Sequence, residues 1–297
     1  MNSKAIVKSV RSLSAAAAIA LLSLPLLSGC GGGVATEPTV SIKRDKAGSS
    51  AAATADGGAA AQSTSTTAAP AAGGGGSGTW AGKVVLEGNA PTLGLLHKKG
   101  DPVRDAAVCA AEDLPDERLV TNGGGVANVF VFLPKAPAGA SVSPPPAEEV
   151  VFDQKNCKFI PHALLVRSGQ KMMIKTSDSV AHNTHTFPKR NSAFSQTIPE
   201  AGVPFGYPKA EAEPIEVKCD FHTWMIAYHF PIDHQFAALS GQDGSFEIKD
   251  LPAGEHKFRV WHEGCDGKYL SRSFSVTIKP GETTTLDIPY PSSKLAL

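Results

Sequence analysis

The sequence predicts an all-β protein, and three observations support this prediction. Short runs with alternating, β-branched or aromatic residues recur from about residue 79 onward, among them GVANVFVFL, GSFEIKDL and HKFRVWHE. Gly, Pro, Asn and Asp separate these runs, and the 29 glycines and 22 prolines suit a chain with many turns. No amphipathic helical pattern of convincing length lies between the runs. A β-sandwich is therefore the expected architecture.

The N-terminal segment is predicted to direct export. An apolar run from 15 to 27 is too short to span a bilayer and has the pattern of a secretory signal peptide. Three basic residues precede this run: Lys4, Lys8 and Arg11. Its end, LSGC, resembles a bacterial lipobox, which implies a signal peptide over residues 1–29 and a lipid on Cys30. Gly31 then favours an outer-membrane anchor facing the periplasm. An ordinary signal peptide with an incidental cysteine is the alternative.

Residues 30–78 are predicted to form a disordered tether after the lipidated cysteine. The stretch AAATADGGAAAQSTSTTAAPAAGGGG at its centre contains almost no large apolar residues. Such a segment cannot bury enough apolar surface to offset the entropy that folding removes. A Gly/Ser-rich chain of this length has a root-mean-square reach of roughly 40 Å. The folded part would therefore sample partners near the membrane surface.

The charge balance bears on the class of partner. Removal of residues 1–29 takes away three basic residues and no acidic ones, so the formal net charge of 0 becomes −3. No run of Lys and Arg remains in the mature chain. Nucleic acid is therefore not an expected partner.

Five cysteines in an exported chain make disulfides feasible. Besides Cys30 and Cys219, three remain, so one of them has no partner. We expect the pair Cys109–Cys157, because each lies in a loop-like segment beside a predicted strand. Cys265 is then free, and a pairing of either residue with Cys265 is the alternative.

One short stretch, CDFHTWM, carries a thiol, an imidazole and a thioether at its first, fourth and seventh positions: Cys219, His222 and Met225. Upstream, the segment TSDSVAHNTHTF follows a predicted strand and supplies His182, Asn183 and His185. Two imidazoles, one thiolate and a weak axial thioether are the ligand set of a blue-copper site. The thiolate and the imidazoles suit both oxidation states of copper, so these residue types favour one-electron chemistry.

The spacing C-x2-H-x2-M after a strand resembles the C-terminal ligand loop of the cupredoxins, with the short loop of amicyanin-like members. SDSVAHN resembles the segment that supplies their first histidine. The resemblance implies a cupredoxin-like Greek-key β-sandwich within residues 79–235 and one type 1 copper ion. It also implies a set of copper ligands: His182, Cys219, His222 and axial Met225. Asn183 would steady the loop that bears the thiolate. Thr223 stands where amicyanin-like loops often have Pro. This difference bears on the rigidity of the ligand loop and on the reduction potential of the copper.

Other interpretations fit the same residues. Cys219 is either a metal ligand, a buried thiol or half of a disulfide. In the last two cases Met225 is a residue of the hydrophobic core. Structural zinc is a further alternative, with His185 as the fourth ligand. His185 is also the alternative to His182 as a copper ligand, although the neighbouring Asn183 favours His182. The remaining histidines are assigned ordinary core or surface roles: His97, His162, His229, His234, His256 and His262.

Residues 236–297 are predicted to form a second, smaller β-sandwich segment. The pattern D-G-x-F-x-I-x-x-L-P-x-G resembles the carboxypeptidase regulatory-like, transthyretin-like module, which is usually non-catalytic. TWAGKVVLEGNAP resembles the opening strand of such modules. That strand is therefore a candidate to complete the C-terminal segment, with the copper domain inserted between them.

These features predict a lipid-anchored copper protein that exchanges electrons with redox proteins of the periplasm or envelope. No nucleophile–base pair, paired carboxylates, phosphate loop or repeated HxH cluster is evident, so an enzyme is not expected. The alternatives are a non-redox scaffold or binding lipoprotein with a structural metal, and a protein that delivers copper.

Overall fold

The computed structural model describes residues 75–297. The predicted signal peptide, Cys30 and all but the last few residues of the predicted tether lie outside the described residues. The tether was predicted to extend to residue 78, but the first strand already begins at Ser77. Within residues 75–297, no helix is long and apolar enough to cross a membrane.

The regular secondary structure of the described chain is almost entirely β, so the all-β prediction is confirmed. The first strands are β1 (Ser77–Glu87), β2 (Leu95–His97), β3 (Leu114–Pro115), β4 (Thr121–Asn122), β5 (Gly125–Val126) and β6 (Phe130–Phe132). The next are β7 (Val150–Lys155), β8 (Lys158–Ile160), β9 (Ala163–Arg167), β10 (Met172–Thr176), β11 (Asn183–Thr186), β12 (Ser195–Thr197), β13 (Val203–Phe205), β14 (Ile215–Lys218) and β15 (Ile226–Ile232). The last are β16 (Ala237–Leu239), β17 (Ser245–Pro252), β18 (Gly254–Trp261), β19 (Tyr269–Ile278), β20 (Thr283–Thr285) and β21 (Ile288–Pro291). The helical pieces are short: α1 (Ala106–Cys109) and the 3-10 turns Asp266–Lys268 and Ser292–Lys294.

The strands from β7 to β15 form what we call the first sandwich. One sheet has the order β13-β10-β7-β8 and the other the order β12-β11-β14-β15-β9. Two of the pairs, β7 with β10 and β9 with β15, are parallel. Both sheets contribute side chains to one core, which includes Phe152, Phe159, Val166, Met172, Ile174 and Val217.

The strands β7, β8, β10 and β14 bury alternate residues, but β15 does not. Six of its seven residues are buried. Ala227 belongs to the core of the first sandwich, whereas Phe230 packs against Phe130 and Phe132 of β6 and Tyr228 against Trp261. Because successive side chains of a strand point to opposite faces, a strand between two layers is apolar on both.

The remaining long strands form what we call the second sandwich. One sheet has the order β17-β1-β5-β4, with β20 and β21 also paired to β1, and the other has the order β16-β6-β18-β19. β1 is antiparallel to β17 and parallel to β20 and β21. Both sheets contribute to one core, which includes Trp80, Val84, Val131, Ile248, Phe258 and Tyr290.

The pairing of β1 and β6 differs from the domain boundaries expected from the sequence. Both strands fall within the predicted 79–235 domain, yet both pair with strands that follow residue 236. The first sandwich is thus inserted between β6 and β16, which is the arrangement that the resemblance of the opening strand suggested. Strand pairing is non-local, so position along the chain does not reveal it. The described residues fall within one compact unit, and two separately folding domains stay a prediction.

Candidate metal centre

The loop from 219 to 225 connects two adjacent antiparallel strands, β14 and β15. Cys219 is the first residue after β14, and Met225 is the last residue before β15. Two backbone hydrogen bonds close the loop, from Cys219 N to the carbonyl of Met225 (3.2 Å) and from Met225 N to the carbonyl of His222 (2.9 Å). The strands therefore fix the loop at its base, and the hydrogen bonds fix its path.

Three donor atoms converge at this loop. His182, which immediately precedes β11, places its Nδ1 3.9 Å from the Sγ of Cys219. The Nδ1 of His222 lies 3.8 Å from the same sulfur and 3.0 Å from the Nδ1 of His182. Both imidazoles are fully buried, and Cys219 is 2% exposed. The structure thus brings together three of the four predicted ligands around one point.

The spacing of these atoms fits a metal ion. A circle through three atoms with these separations has a radius of about 2.1 Å, close to the bond lengths of about 2.0–2.3 Å that imidazole and thiolate make to a metal such as zinc. Two imidazole nitrogens 3.0 Å apart would repel each other if both presented lone pairs. A cation or a shared proton between them removes that repulsion. The donor set is therefore suited to a soft or borderline cation.

Each imidazole is held on its outer side by a carboxylate. The Nε2 of His182 donates a hydrogen bond to Asp178 Oδ2 at 2.8 Å. The Nε2 of His222 donates to Asp105 Oδ2 at 3.0 Å. A proton fixed on Nε2 leaves Nδ1 as the atom that can bind a metal. Carboxylates therefore set both the orientation and the tautomer of the two rings.

The same contacts shift the pKa values of the donors. Burial alone would lower the pKa of His182, but hydrogen bonds with Asp178 and Cys219 outweigh it and raise the pKa to about 9. Burial would raise the pKa of Cys219, but hydrogen bonds from His182 and from the backbone N–H of Asn183 lower it. Burial lowers the pKa of His222. A metal ion bound at this point would take the place of the proton on His182 and would favour the deprotonated form of Cys219.

Asn183 connects the two segments that supply the donors. Its Nδ2 donates to Asp220 Oδ2 at 2.6 Å, and its Oδ1 accepts from the backbone N–H of Asp220 at 2.6 Å. Asp220 follows Cys219 directly, so these bonds fix the residue next to the thiol. The cupredoxin resemblance implied this steadying role for Asn183, and the role stays a prediction.

His185 lies apart from the three donors. Its Nδ1 contacts Asp220 Oδ1 at 3.1 Å, and its ring stacks on Phe187 with centroids 4.2 Å apart. Its side chain is 29% exposed. Among the described residues, the cluster that includes Cys219 contains His182 and His222 but not His185. The four-ligand zinc site that would include His185 is therefore not assembled here.

Met225 is 1% exposed and belongs to the core of the first sandwich. Its backbone closes the ligand loop, as described above. It follows His222 by three residues, and the resemblance assigns its thioether the axial position. That assignment stays a prediction.

A segment from 95 to 118, which we call the cover, lies against the ligand loop. It supplies Asp105 to His222, as described, and the guanidinium of Arg104 lies 5.1 Å from the ring centre of Phe221. His97 packs against Trp224, with ring centroids 5.1 Å apart. These contacts explain why His222 is fully buried.

The predicted disulfide anchors this cover. Cys109 of α1 is bonded to Cys157 of the first sandwich, across a sequence separation of 48 residues. Both sulfur atoms lie within 4.8 Å of a ring nitrogen of His222. Trp224 Nε1 also donates to the carbonyl of Cys157 at 3.1 Å. Within the described part of the chain, Cys265 is buried and forms no disulfide.

Sequence reasoning missed the two carboxylates that hold the rings. Asp178 lies four residues before His182, and its pKa is lowered, because hydrogen bonds from His182 and from the backbone N–H groups of Cys157 and Asn156 outweigh its burial. A short spacing between an acid and a ligand histidine was a usable signal. The sequence spacing gave no such signal for Asp105, because this residue is 117 residues from His222. It adopts a left-handed backbone conformation with φ of 54°, which Asp tolerates better than most residues.

Comparison with known proteins adds little to this geometry. No protein-family model and no curated protein matches the chain. Among solved structures, amicyanin from Paracoccus versutus is 19% identical, with 36% of this chain and 99% of that chain covered and a TM-score of 0.25. The reduced Cu(I) form of a single-site amicyanin mutant at pH 4 is 16% identical, covering 35% of this chain and 99% of that chain with a TM-score of 0.26.

A copper-containing nitrite reductase from Thermus scotoductus SA-01 is 14% identical, with 34% of this chain covered and a TM-score of 0.26. The match spans only 25% of the length of that reductase.

Proposed function

We propose that this chain is a type 1 copper protein that transfers electrons. The observation that carries the proposal is the buried triangle formed by His182 Nδ1, Cys219 Sγ and His222 Nδ1, with edges of 3.0–3.9 Å. Two imidazoles and one thiolate in a trigonal arrangement, with a nearby methionine, are the donor set of blue-copper sites. When bound, copper supplies one-electron redox chemistry.

The protein's contribution is to hold these donors still. Asp178 and Asp105 fix the two imidazole rings, and the bonds between Asn183 and Asp220 fix the start of the loop. Donors that cannot rearrange would lower the cost of changing the oxidation state of a bound copper ion. The thioether of Met225 would be a further, weak ligand that influences the reduction potential.

Burial of the donors favours an electron carrier over copper delivery. Both imidazoles are fully buried, and His222 lies beneath the cover. Transfer of the ion to another protein requires an incoming ligand to reach it, and the described residues leave no exposed ligand side chain to begin that exchange. A purely structural zinc site would be expected to have a fourth strong ligand, and His185 does not provide one.

The cellular setting is also part of the proposal. The lipobox-like sequence around Cys30 supports a lipid anchor in the envelope, with the protein facing the periplasm. Its partners would be redox proteins there and not nucleic acid. We propose a carrier and not an enzyme, because both imidazoles are fully buried and Cys219 is 2% exposed, which would keep a substrate away from the ion.

Protein-film voltammetry tests this function directly. The copper-loaded protein is expected to give a reversible one-electron wave, because buried donors held by hydrogen bonds rearrange little when the oxidation state changes. The Cys219→Ser and His182→Ala variants should lose the wave, and the matched His185→Ala variant should keep it. An irreversible wave in the wild type, or equal loss in the His182 and His185 variants, would reject the proposal.

A further inference from the structure

A second feature of the molecule is a cavity beside the ligand loop, on the side of Trp224 and Met225. Its volume is about 240 Å³. The apolar side chains that line it are Leu96, Leu114, Phe159, Trp224, Met225 and Ile226. Leu96 belongs to the cover, whereas Phe159 and Ile226 belong to the first sandwich. The cavity is therefore walled by both parts.

The charged residues at this cavity are paired with one another. Lys158 Nζ lies 2.9 Å from Glu117 Oε1. Arg118 makes an ion pair with Asp116 at 2.6 Å. A ligand with a net charge would find no unpaired opposite charge among the described lining residues, and it would lose hydration on entering. The charge pattern therefore favours a neutral ligand.

One polar atom remains open to a ligand. The Nε2 of His162 is hydrogen-bonded to Glu263. The Nδ1 of His162 has Glu117 Oε2 at 3.8 Å, which is too far for a hydrogen bond. The Nδ1 atom donates a hydrogen bond when the ring is protonated and accepts one when the ring is neutral. A hydroxyl group does both, so it can bond to Nδ1 in either state.

We propose that this cavity binds a neutral, single-ring aromatic alcohol of the phenol class. The apolar walls take the ring, and His162 Nδ1 forms a hydrogen bond with the hydroxyl group. Cavities of about 150 Å³ lined by aliphatic and aromatic side chains hold a benzene ring, so one ring with one hydroxyl fits a volume of about 240 Å³. Drug-sized ligands use pockets of about 300–1,000 Å³ and would be too large.

The cavity lies next to the three donors His182, Cys219 and His222, none of which lines it, although Met225 does. Trp224 also lines the cavity, and its ring lies 5.2 Å from the ring of His222 between centroids. Binding needs no metal, because none of these three donors contributes to the cavity wall. The test therefore uses the metal-free protein, and failure of the copper proposal would leave its result intact.

The experiment is an NMR titration of ¹⁵N-labelled protein with phenol. The reporter is the indole N–H signal of Trp224, which is identified by its loss in Trp224→Phe. Phenol should shift this signal saturably and should bind at least fivefold more tightly than toluene, which lacks the hydroxyl. Benzoate, which is charged, should bind at least tenfold more weakly than phenol.

Two neighbouring leucines supply matched variants. Leu95 and Leu96 are 41% and 43% exposed, but only Leu96 lines the cavity. Leu96→Trp should fill the cavity and weaken phenol binding at least tenfold, whereas Leu95→Trp should leave the affinity within twofold of the wild type. The proposal is overturned by a wild-type signal that does not shift or shifts without saturation. It is equally overturned by benzoate binding as tightly as phenol, or by equal effects of the two leucine variants.

Discussion

Asn183 and Asp220 exchange two hydrogen bonds of 2.6 Å, one to the carboxylate and one from the backbone N–H. The two residues are neighbours in sequence of His182 and Cys219, respectively. The pair therefore joins the two donor segments at a point one residue away from each donor. It accounts for how two segments that are distant in sequence keep their donors at a fixed separation.

Removal of this pair should destabilise the metal-free protein. Asn183 is 5% exposed, and Asn183→Ala leaves the N–H of Asp220 without its partner, so we expect a loss of about 1–3 kcal/mol in the free energy of unfolding. Urea denaturation of Asn183→Ala, Asp220→Ala and the double variant measures the coupling, which should be at least about 0.5 kcal/mol. His185→Ala removes the other contact of Asp220 and is the control. Strict additivity of the two single changes would contradict the coupling described here.

The carboxylates behind the imidazoles should control metal affinity. Asp178→Asn and Asp105→Asn each weaken the hydrogen bond that fixes the tautomer of one imidazole, in His182 and His222 respectively. Each substitution should therefore weaken copper binding by about 10- to 100-fold. The effect of Asp178→Asn should be the larger, because Asp178 is 4% exposed and Asp105 is 37% exposed. Competition with a chelator measures the dissociation constants.

Asp153→Asn provides the control for these two variants. Asp153 accepts a hydrogen bond from Ser177 and contacts neither imidazole, so its change should leave copper affinity within about twofold. Equal affinities for all three variants would show that Asp178 and Asp105 do not orient the donors.

The disulfide should stabilise both the fold and the cover. The double variant Cys109→Ser/Cys157→Ser should lose roughly 2–4 kcal/mol in the free energy of unfolding, since the bond closes a loop of 48 residues. It should also release copper to a chelator faster, because Asp105 and the rest of the cover are then less firmly held over His222. Removal of copper at the wild-type rate from a folded double variant would contradict the assigned role of the cover.

The stability of the metal-free protein should depend on pH through His162. Its pKa is raised in the folded state, because hydrogen bonding to Glu263 and the charge of Glu117 outweigh burial. The folded state therefore holds this proton more tightly than the unfolded chain, whose pKa is about 6.5. The resulting stabilisation is complete below that value and is lost as pH rises through the raised pKa.

Urea midpoints of the wild type and His162→Gln, measured from pH 6 upward, isolate this contribution. The difference between them should shrink as pH increases. The pKa of His182 is also raised in the metal-free protein. His182 is present in both the wild type and His162→Gln, so its contribution cancels in the difference between their midpoints. A difference that stays constant with pH would exclude His162 as the source.

The sequence was sufficient to place the candidate donors near one another, because their arrangement is largely local; copper binding by them stays a prediction. Cys219, His222 and Met225 lie within one loop between two strands, so their spacing alone limits how far apart they can be. His182 and His185 were harder to separate, since both follow the same strand within a few residues. The preference for His182 over His185 came from the neighbouring Asn183, and the structure places His182 next to the sulfur.

The position of the cover and the strand partners of β1 could not be predicted from local sequence patterns, and the reason is physical. The cover has one four-residue helix and strands of two or three residues, which are too short to show a periodic pattern. Its position depends on a disulfide and on the Asp105 contact, both made with residues distant in sequence. β1 pairs with β17, β20 and β21, at least 162 residues later in the chain, and only the resemblance of its opening residues suggested this.

The central claim is that three side chains from two segments bind one copper ion. Addition of Cu(II) to the purified protein, with the metal content and the visible spectrum recorded together, tests this claim most directly. We predict one copper per chain and the intense charge-transfer absorption of a copper–thiolate bond, both lost in a folded Cys219→Ser variant. Absence of stoichiometric copper and of visible absorption in the folded wild-type protein would contradict the account.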